Sequence, residues 1–343
     1  MSRLGLVLAP ILFALAVCVS SASAQTPLDP PRLTDGRPDL QGVWDFRTLT
    51  PLERPEALAD KAIFGVEEAA EIEARAAAWS AAANAPTTER THLPVGGDVG
   101  AYNSYWMDQG GRVVDDQRTS LIVDPPNGRV PPLQSGVEMQ ILSLSEDVGG
   151  VGPDRTRSAG ISADSYEARG LAERCILGFN SGPPIVPGYY NQNIQLFQTP
   201  DYVVILNEMI HDARIVPLDG RDHLPERIRQ WTGDSRGYWE GDTLVIETTN
   251  FTDKTASFDP TVWTAAGNGT TLHLTERFRL VAEDNLRYEF TVNDTTTFTQ
   301  PFTAAVPMKR GETMFEYACH EGNYGLYNLL AGARAKEKGK SGR

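Results

Sequence analysis

The sequence predicts a mainly β protein, in which an antiparallel meander closes into a barrel or a strongly curved sheet, with one N-terminal helix, long loops and a C-terminal helix. Two observations predict this fold class. From Ile194 onward, short apolar or alternating runs recur, and clusters of Gly, Asp, Asn and Pro separate many of them. The links are also short, whereas a parallel crossover needs about a dozen residues or more, so consecutive strands are expected to be antiparallel neighbours.

Eight strands are expected in this half of the chain. They occupy residues 194–198, 202–206, 213–218, 243–249, 272–280, 286–293, 302–309 and 314–318. Two earlier strands are expected at 40–46 and within 119–129. A sheet of this many antiparallel strands avoids exposed edge strands by closing on itself, which favours a calycin-like, or lipocalin-like, barrel. The segment Gly42-Val43-Trp44 agrees with this interpretation, because Gly-x-Trp is typical of the first strand of lipocalin-like barrels.

Two helices flank the predicted sheet. Residues 67–83 are rich in Ala and Glu and contain neither Gly nor Pro, and residues 323–333 are expected to pack on the barrel as a C-terminal helix. The chain divides into a signal segment (1–24), a lead with the first strand, helix and loop (25–118), the barrel core with its C-terminal helix (119–333) and a frayed basic tail (334–343). Residues 25–333 form one globular domain, and the long polar segments 87–111 and 145–170 are expected to be lids or mobile insertions.

The first residues predict export. Arg3 precedes an apolar run over residues 4–19, and Ala22-Ser23-Ala24 has the small-x-small form that signal peptidase cleaves, here before Gln25. The apolar run is shorter than the roughly 20 residues that a membrane span needs. The mature chain is therefore expected in the periplasm or outside the cell.

The charge of the chain excludes some partners. The formal net charge is -14, and removal of Arg3 with the signal makes it -15. Such a surface repels phosphate backbones and anionic lipid, so neither nucleic acid nor a membrane is an expected partner. A small-molecule ligand or substrate is expected instead, and the sequence indicates no particular oligomeric state.

Two cysteines, Cys175 and Cys319, remain after cleavage. Cysteines in an oxidising compartment most often pair, so we expect a disulfide between them. A free or catalytic thiol is the alternative.

Four strings in the second half of the chain occur together. Residues 239–251 read WEGDTLVIETTNF, and they are accompanied by DGR at 219–221, TERF at 275–278 and EYACHEGN at 316–323. In these strings the chain resembles a large group of functionally uncharacterised exported bacterial proteins, over residues 171–333. The resemblance implies export and a β-rich fold. It implies no chemistry, so any activity has to be inferred from the residues themselves.

The candidate catalytic residues follow the strand expected at 202–206. If the chain stays extended here, Glu208, Asp212 and Arg214 share one side of a strand and His211 faces the other. In a poorly solvated barrel interior, burial and neighbouring charges can give the two carboxyl groups different pKa values, so that one serves as an acid and the other as a base. The alternative is a structural ion-pair cluster that closes the barrel.

Two further expectations concern the same segment. Glu208 and Arg214 are expected to touch as a buried pair. His211 is expected to be the histidine most deeply embedded in the strand-rich core, where an imidazole can transfer protons near neutral pH. Its partner must come from elsewhere in the chain, because adjacent residues of a strand point apart.

The candidate ligand contacts lie in a glycine-punctuated loop. Trp231, Asp234 and Arg236 place an aromatic face beside charged side chains, a combination that suits sugar rings or planar phenolic ligands. Tyr190 and Asn193 are expected to add contacts to the same ligand.

No cofactor is expected. The sequence has no glycine-rich nucleotide cradle. A divalent metal is the weaker alternative, because His211, His223 and His320 would have to converge in space to bind one.

These features predict an exported, cofactor-independent lyase, isomerase or hydrolase that acts on a small polar-aromatic or carbohydrate-derived substrate in a barrel cavity. Glu208, His211 and Asp212 would supply acid and base groups, and Arg214 or Arg236 would stabilise negative charge. Two alternatives remain open. A periplasmic binding protein would use an aromatic and aliphatic cavity without turnover, and a structural envelope-associated module would have no cavity.

Overall fold

A computed structural model describes residues 30–84, 110–141, 164–178, 180–261 and 264–341. The expected signal segment at 1–24 lies outside these residues, and so does most of the expected loops at 87–111 and 145–170.

The described residues form thirteen strands and two α-helices. The strands are β1 (Gly42–Asp45), β2 (Ile122–Asp124), β3 (Met139–Ile141), β4 (Asn193–Gln198), β5 (Tyr202–Asn207), β6 (Ala213–Pro217), β7 (Asp234–Glu240), β8 (Thr243–Thr249), β9 (Phe258–Thr261), β10 (Thr264–Ala266), β11 (His273–Ala282), β12 (Asn285–Asn293) and β13 (Phe302–Arg310). The helices are α1 (Val66–Ala83) and α2 (Tyr324–Ser341).

The main sheet of the described residues has ten strands. Nine of them follow the order β6-β5-β4-β1-β13-β12-β11-β8-β7, with β2 paired to β13, and every pair is antiparallel. The edge strands β6 and β7 come together, so the sheet nearly closes. Gly237 on β7 permits this approach, because a Cβ atom there would lie 2.7 Å from Leu218 and 2.9 Å from Val216.

The predicted fold class is confirmed: the protein is mainly β, with a nearly closed, barrel-like antiparallel sheet, one helix in the N-terminal part and one near the C-terminus. Two sets of antiparallel strands build the barrel, β4 to β6 and the set of β7, β8, β11, β12 and β13, and β1 joins them by pairing with both β4 and β13. A small second sheet has the order β3-β10-β9.

The barrel interior is filled by side chains. On β11 the residues Leu274, Glu276, Phe278 and Leu280 are buried, and those between them are more exposed, as the two-residue period of a half-buried strand requires. The Phe278 ring lies 4.7 Å from that of Tyr288 on β12, centroid to centroid. Among the described residues, these inward faces form a packed core of apolar and aromatic side chains.

Helix α1 confirms the helix predicted at 67–83. The carboxylate of Glu68 accepts the backbone N–H of Gly65 at 2.7 Å, which satisfies one of the free donors at the helix start. Within α1 only Ala69 is buried. The helix consequently packs over a narrow contact on Phe64 and Val113, which lie outside the strands, as expected of a surface helix.

Two predictions at the C-terminal end are wrong. Residues 314–318 form no strand, because they cross over the turn between β5 and β6 and are tied there by a disulfide at Cys319. Helix α2 does not stop at 333 and fray; it continues to Ser341 through a run of Ala, Lys and Arg, which are strong helix formers. It contacts the 164–178 segment, where the guanidinium of Arg334 donates to the carbonyl of Asp164 at 2.7 Å.

Candidate active site at the turn between β5 and β6

The segment that carries the candidate catalytic residues is a tight turn. β5 and β6 pair antiparallel, with Leu206 opposite Ala213, so the chain must reverse between them. Residues Met209–His211 do so as a 3-10 turn. The prediction that this segment is extended is wrong, and the two-residue alternation of side chains is lost within it.

The turn is conformationally strained. Ile210 has φ 61° and His211 has φ 46°, a backbone region that residues other than glycine rarely adopt. Cys175 (φ 56°) and Asn191 (φ 52°) are two more such residues in the same part of the molecule. Burial maintains the conformation, because Met209 and Ile210 pack with Cys175 in a small apolar cluster. Strain of this kind is concentrated at functional sites.

His211 lies on the surface of this turn. Its ring Nδ1 is 2.8 Å from the backbone carbonyl oxygen of Tyr317. A carbonyl oxygen can only accept, so in the neutral ring Nδ1 carries the proton and Nε2 has the lone pair. The prediction that His211 is deeply buried is wrong, because the turn points the ring outward. The expected partner from elsewhere in the chain is Tyr317.

Asp212 follows His211 and is half-buried. Burial raises the pKa of its carboxyl above the usual 3.8, and the nearby charges of Arg214 and His211 oppose this shift only in part. The site thus pairs an exposed imidazole, oriented for proton acceptance, with a carboxyl that holds its proton to a higher pH than an ordinary aspartate.

Glu208 has a positioning contact. Its buried carboxylate accepts the Asn193 side-chain amide at 2.7 Å and the backbone N–H of Phe315 at 3.4 Å. Glu208 thereby fixes the crossing segment that carries Tyr317. Asn193, predicted to contact a ligand, is a partner of Glu208.

Arg214 does not touch Glu208, so that prediction is wrong. Arg214 lies on an inward position of β6 and donates both terminal nitrogens to Glu276 of β11, one of them at 2.9 Å. The hydroxyl of Tyr288 donates to the same carboxylate at 2.8 Å. Glu276 and Tyr288 are fully buried, and burial beside Glu276 raises the Tyr288 pKa well above its usual range. Arg214 therefore belongs to a structural ion-pair cluster, as the alternative proposed, but its partners are Glu276 and Tyr288 and not Glu208 and Asp212.

One buried acceptor near the turn is unsatisfied. Asn207, the last residue of β5, is 3% exposed, and its side-chain carbonyl has no hydrogen-bond partner among the described residues. Such an atom marks a place where a water molecule or a ligand group is favourable.

The residues predicted in a glycine-punctuated loop lie apart from the turn, and the prediction of a loop is wrong for Asp234 and Arg236, which belong to β7. Asp234 is buried and accepts His223 Nδ1 at 2.9 Å, the Leu224 backbone N–H at 3.0 Å and Arg236 at 2.8 Å. These contacts tie the long loop to β7, and the half-buried Trp231 lies beside them in sequence. His223 as the partner of Asp234 was missed, because no periodicity relates a loop residue to a strand start.

Tyr190 packs against the apolar cluster beneath the turn, next to Met209 and Ile210. It is therefore close to His211, whereas Asp234 and Arg236 belong to the separate cluster at the start of β7. Across the described residues, no group of three or more His, Cys, Asp or Glu side chains is arranged to hold a metal ion, so His211, His223 and His320 do not converge.

The predicted disulfide is confirmed. Cys175 and Cys319 are bonded with their Cα atoms 5.8 Å apart. Cys319 stands two residues after Tyr317, so the bond anchors the segment that orients His211. In the described part of the chain, no helix has the length and apolar character needed to cross a membrane.

A surface cleft of about 490 Å³ lies next to the segment that crosses the turn, and neither His211 nor Asp212 is among its described lining residues. Tyr317, Cys319 and Glu173 line one part of it, and Asn323 and Leu326 of the C-terminal region line another. Its volume is in the range of small-molecule sites, which is roughly 300–1,000 Å³.

Comparison with models of known protein families, with curated proteins and with solved structures found no match to this chain.

Proposed function

We propose that the protein is an exported, cofactor-independent enzyme that moves protons on a small polar-aromatic or carbohydrate-derived molecule, with His211 as general base and Asp212 as general acid. The orientation of His211 is the observation that carries this proposal. A strained turn and the Tyr317 carbonyl hold the exposed ring so that the Nε2 lone pair remains to accept a proton, and Tyr317 itself lines the nearby cleft. The site lies at the end of the barrel, outside its packed interior.

The arginines favour one reaction type. Arg214 is committed to Glu276, and Arg236 to Asp234 and to the Asp222 carbonyl, so neither is placed to stabilise developing negative charge as expected from the sequence. Asp212 can do so instead in its protonated form, which burial favours by raising the pKa of the carboxyl, because a carboxylic acid donates a hydrogen bond. Isomerisation or elimination, in which a base removes a proton and an acid supports the developing anion, is therefore favoured over hydrolysis.

Export is part of the proposal. It is supported by the predicted signal segment and by the disulfide, since such bonds persist in oxidising compartments. A periplasmic or secreted location follows.

The test is a combined thermal-shift and turnover screen of sugars, lactones and phenolics with three proteins: the unchanged chain, His211→Gln and His273→Gln as a control. We expect His211→Gln to bind the same compound with the same increase in melting temperature, and to lose turnover at least about a hundredfold, since general acid or base help contributes about 10² to 10⁴ in rate. His273→Gln should keep full turnover.

Near-normal turnover by folded His211→Gln would remove His211 from the mechanism. A compound that stabilises all three proteins and is never converted would instead support a binding protein.

A further inference from the structure

Helix α1 leaves a second cleft, of about 670 Å³, against the outer wall of the barrel. The N-terminal half of the helix makes the contact, with Ala69 packed on Phe64 and Val113. The C-terminal half, including Trp79, lines the cleft together with the end of β1 and the segment around Gly110. The cleft is on the outside of β1 and β13 and is lined by none of the residues of the proposed active site.

Trp79 is the one aromatic residue among the described residues that line this cleft. Its side chain is 53% exposed although it belongs to a regular helix. A half-exposed indole held on a regular helix is a suitable surface for stacking on the C–H face of a sugar ring.

Four charged residues of the cleft lining form two ion pairs: Asp45 with Arg47 at 2.7 Å and Asp115 with Lys309 at 2.7 Å. Arg112 also lines the cleft, and its guanidinium lies 4.0 Å from the carboxylate of Glu73. A charged ligand would have to compete with a partner that is in place. A hydroxyl can donate to the acid and accept from the base of the same pair, so a neutral polyhydroxylated ring fits without breaking any of them.

We infer that this cleft binds a neutral carbohydrate of one or two rings. One ring face stacks on Trp79, and the hydroxyls bond to the Asp45–Arg47 and Asp115–Lys309 pairs. The site is independent of the proposed enzymatic activity, which uses other residues.

The test is isothermal titration of the purified chain with the neutral disaccharides cellobiose, maltose and lactose, and with glucuronate and vanillate as charged comparisons. We expect at least one neutral disaccharide to bind in the millimolar range or tighter, and Trp79→Ala to weaken it roughly tenfold, near the upper end of what one aromatic contact contributes. Asp115→Asn should also weaken binding. Tyr327→Ala, which removes another exposed aromatic from a helix, should leave it unchanged.

Three results would overturn the inference. One is that none of the three disaccharides gives a heat of binding at concentrations up to about 10 mM, where a complex with a millimolar dissociation constant is mostly formed. Another is tighter binding of glucuronate or vanillate than of every neutral sugar. The third is an equal loss in the Trp79→Ala and Tyr327→Ala proteins.

Discussion

Asp212 sits where its negative charge is poorly solvated. Burial is the main cause of its raised pKa, and the attraction of Arg214 and His211 is too weak to cancel it. The folded protein therefore binds this proton more tightly than the unfolded chain does. Ionisation of Asp212 is therefore less favourable in the folded protein than in the unfolded chain. At every pH above the pKa of Asp212 in the unfolded chain, near the usual 3.8, this difference lowers the free energy of unfolding.

The Asp212→Asn substitution removes this ionisation. We expect the variant to unfold at a higher temperature than the unchanged protein at pH 7, with the difference growing as pH rises from 3.8 through the raised pKa and disappearing below 3.8, where both side chains are neutral. Thermal unfolding between pH 3 and 8 measures it, and Glu226→Gln on an exposed loop is the control. A constant difference at all pH values would contradict the prediction.

At the scale of elements, one buried ion pair connects strands that are not adjacent. Arg214 of β6 reaches Glu276 of β11 through the barrel interior, and Tyr288 of β12 completes the set. The pair is surrounded by apolar side chains, so removal of one member leaves the other buried and without its counter-charge.

Glu276→Gln is accordingly expected to lower the free energy of unfolding by about 3 to 5 kcal/mol. The matched control is Glu289→Gln on β12, whose carboxylate pairs with Arg287 on the solvent side of the barrel. That change should cost about 0 to 1 kcal/mol. Urea unfolding of the two variants compares them directly. Equal losses in the free energy of unfolding would show that the Arg214–Glu276 pair contributes no more than a solvent-exposed ion pair.

At the scale of the whole molecule, the disulfide links the segment before the barrel meander to the segment after it. Cys175 and Cys319 are 144 residues apart in sequence, and nearly all of the main sheet lies between them. The bond also holds the crossing segment with Tyr317 over the strained turn.

Replacing both cysteines by alanine should lower the free energy of unfolding by about 5 kcal/mol, since a long closed loop restricts the unfolded chain most. Guanidinium unfolding of the oxidised protein and of the double variant measures this change. Reduction of the unchanged protein should have the same effect as the double substitution. A loss below about 1 kcal/mol would contradict the loop-entropy origin of the stabilisation.

Local pattern alone determined much of this protein. Alternation and turn residues predicted β4, β8 and β12 close to their observed bounds, composition predicted α1, and the cysteine count predicted the bond between Cys175 and Cys319. The strands and the helix depend on residues only a few positions apart, and two cysteines can form only one disulfide. The sequence pattern is therefore enough to predict these features.

Tertiary structure decided the sites. Arg214 took Glu276 as its partner because both face inward at matching depths of the barrel, and Asp234 took His223 because a long loop folds back on β7. His211 became exposed because the reversal between β5 and β6 falls on it. Each outcome depends on the register and closure of distant strands, which no local spacing specifies.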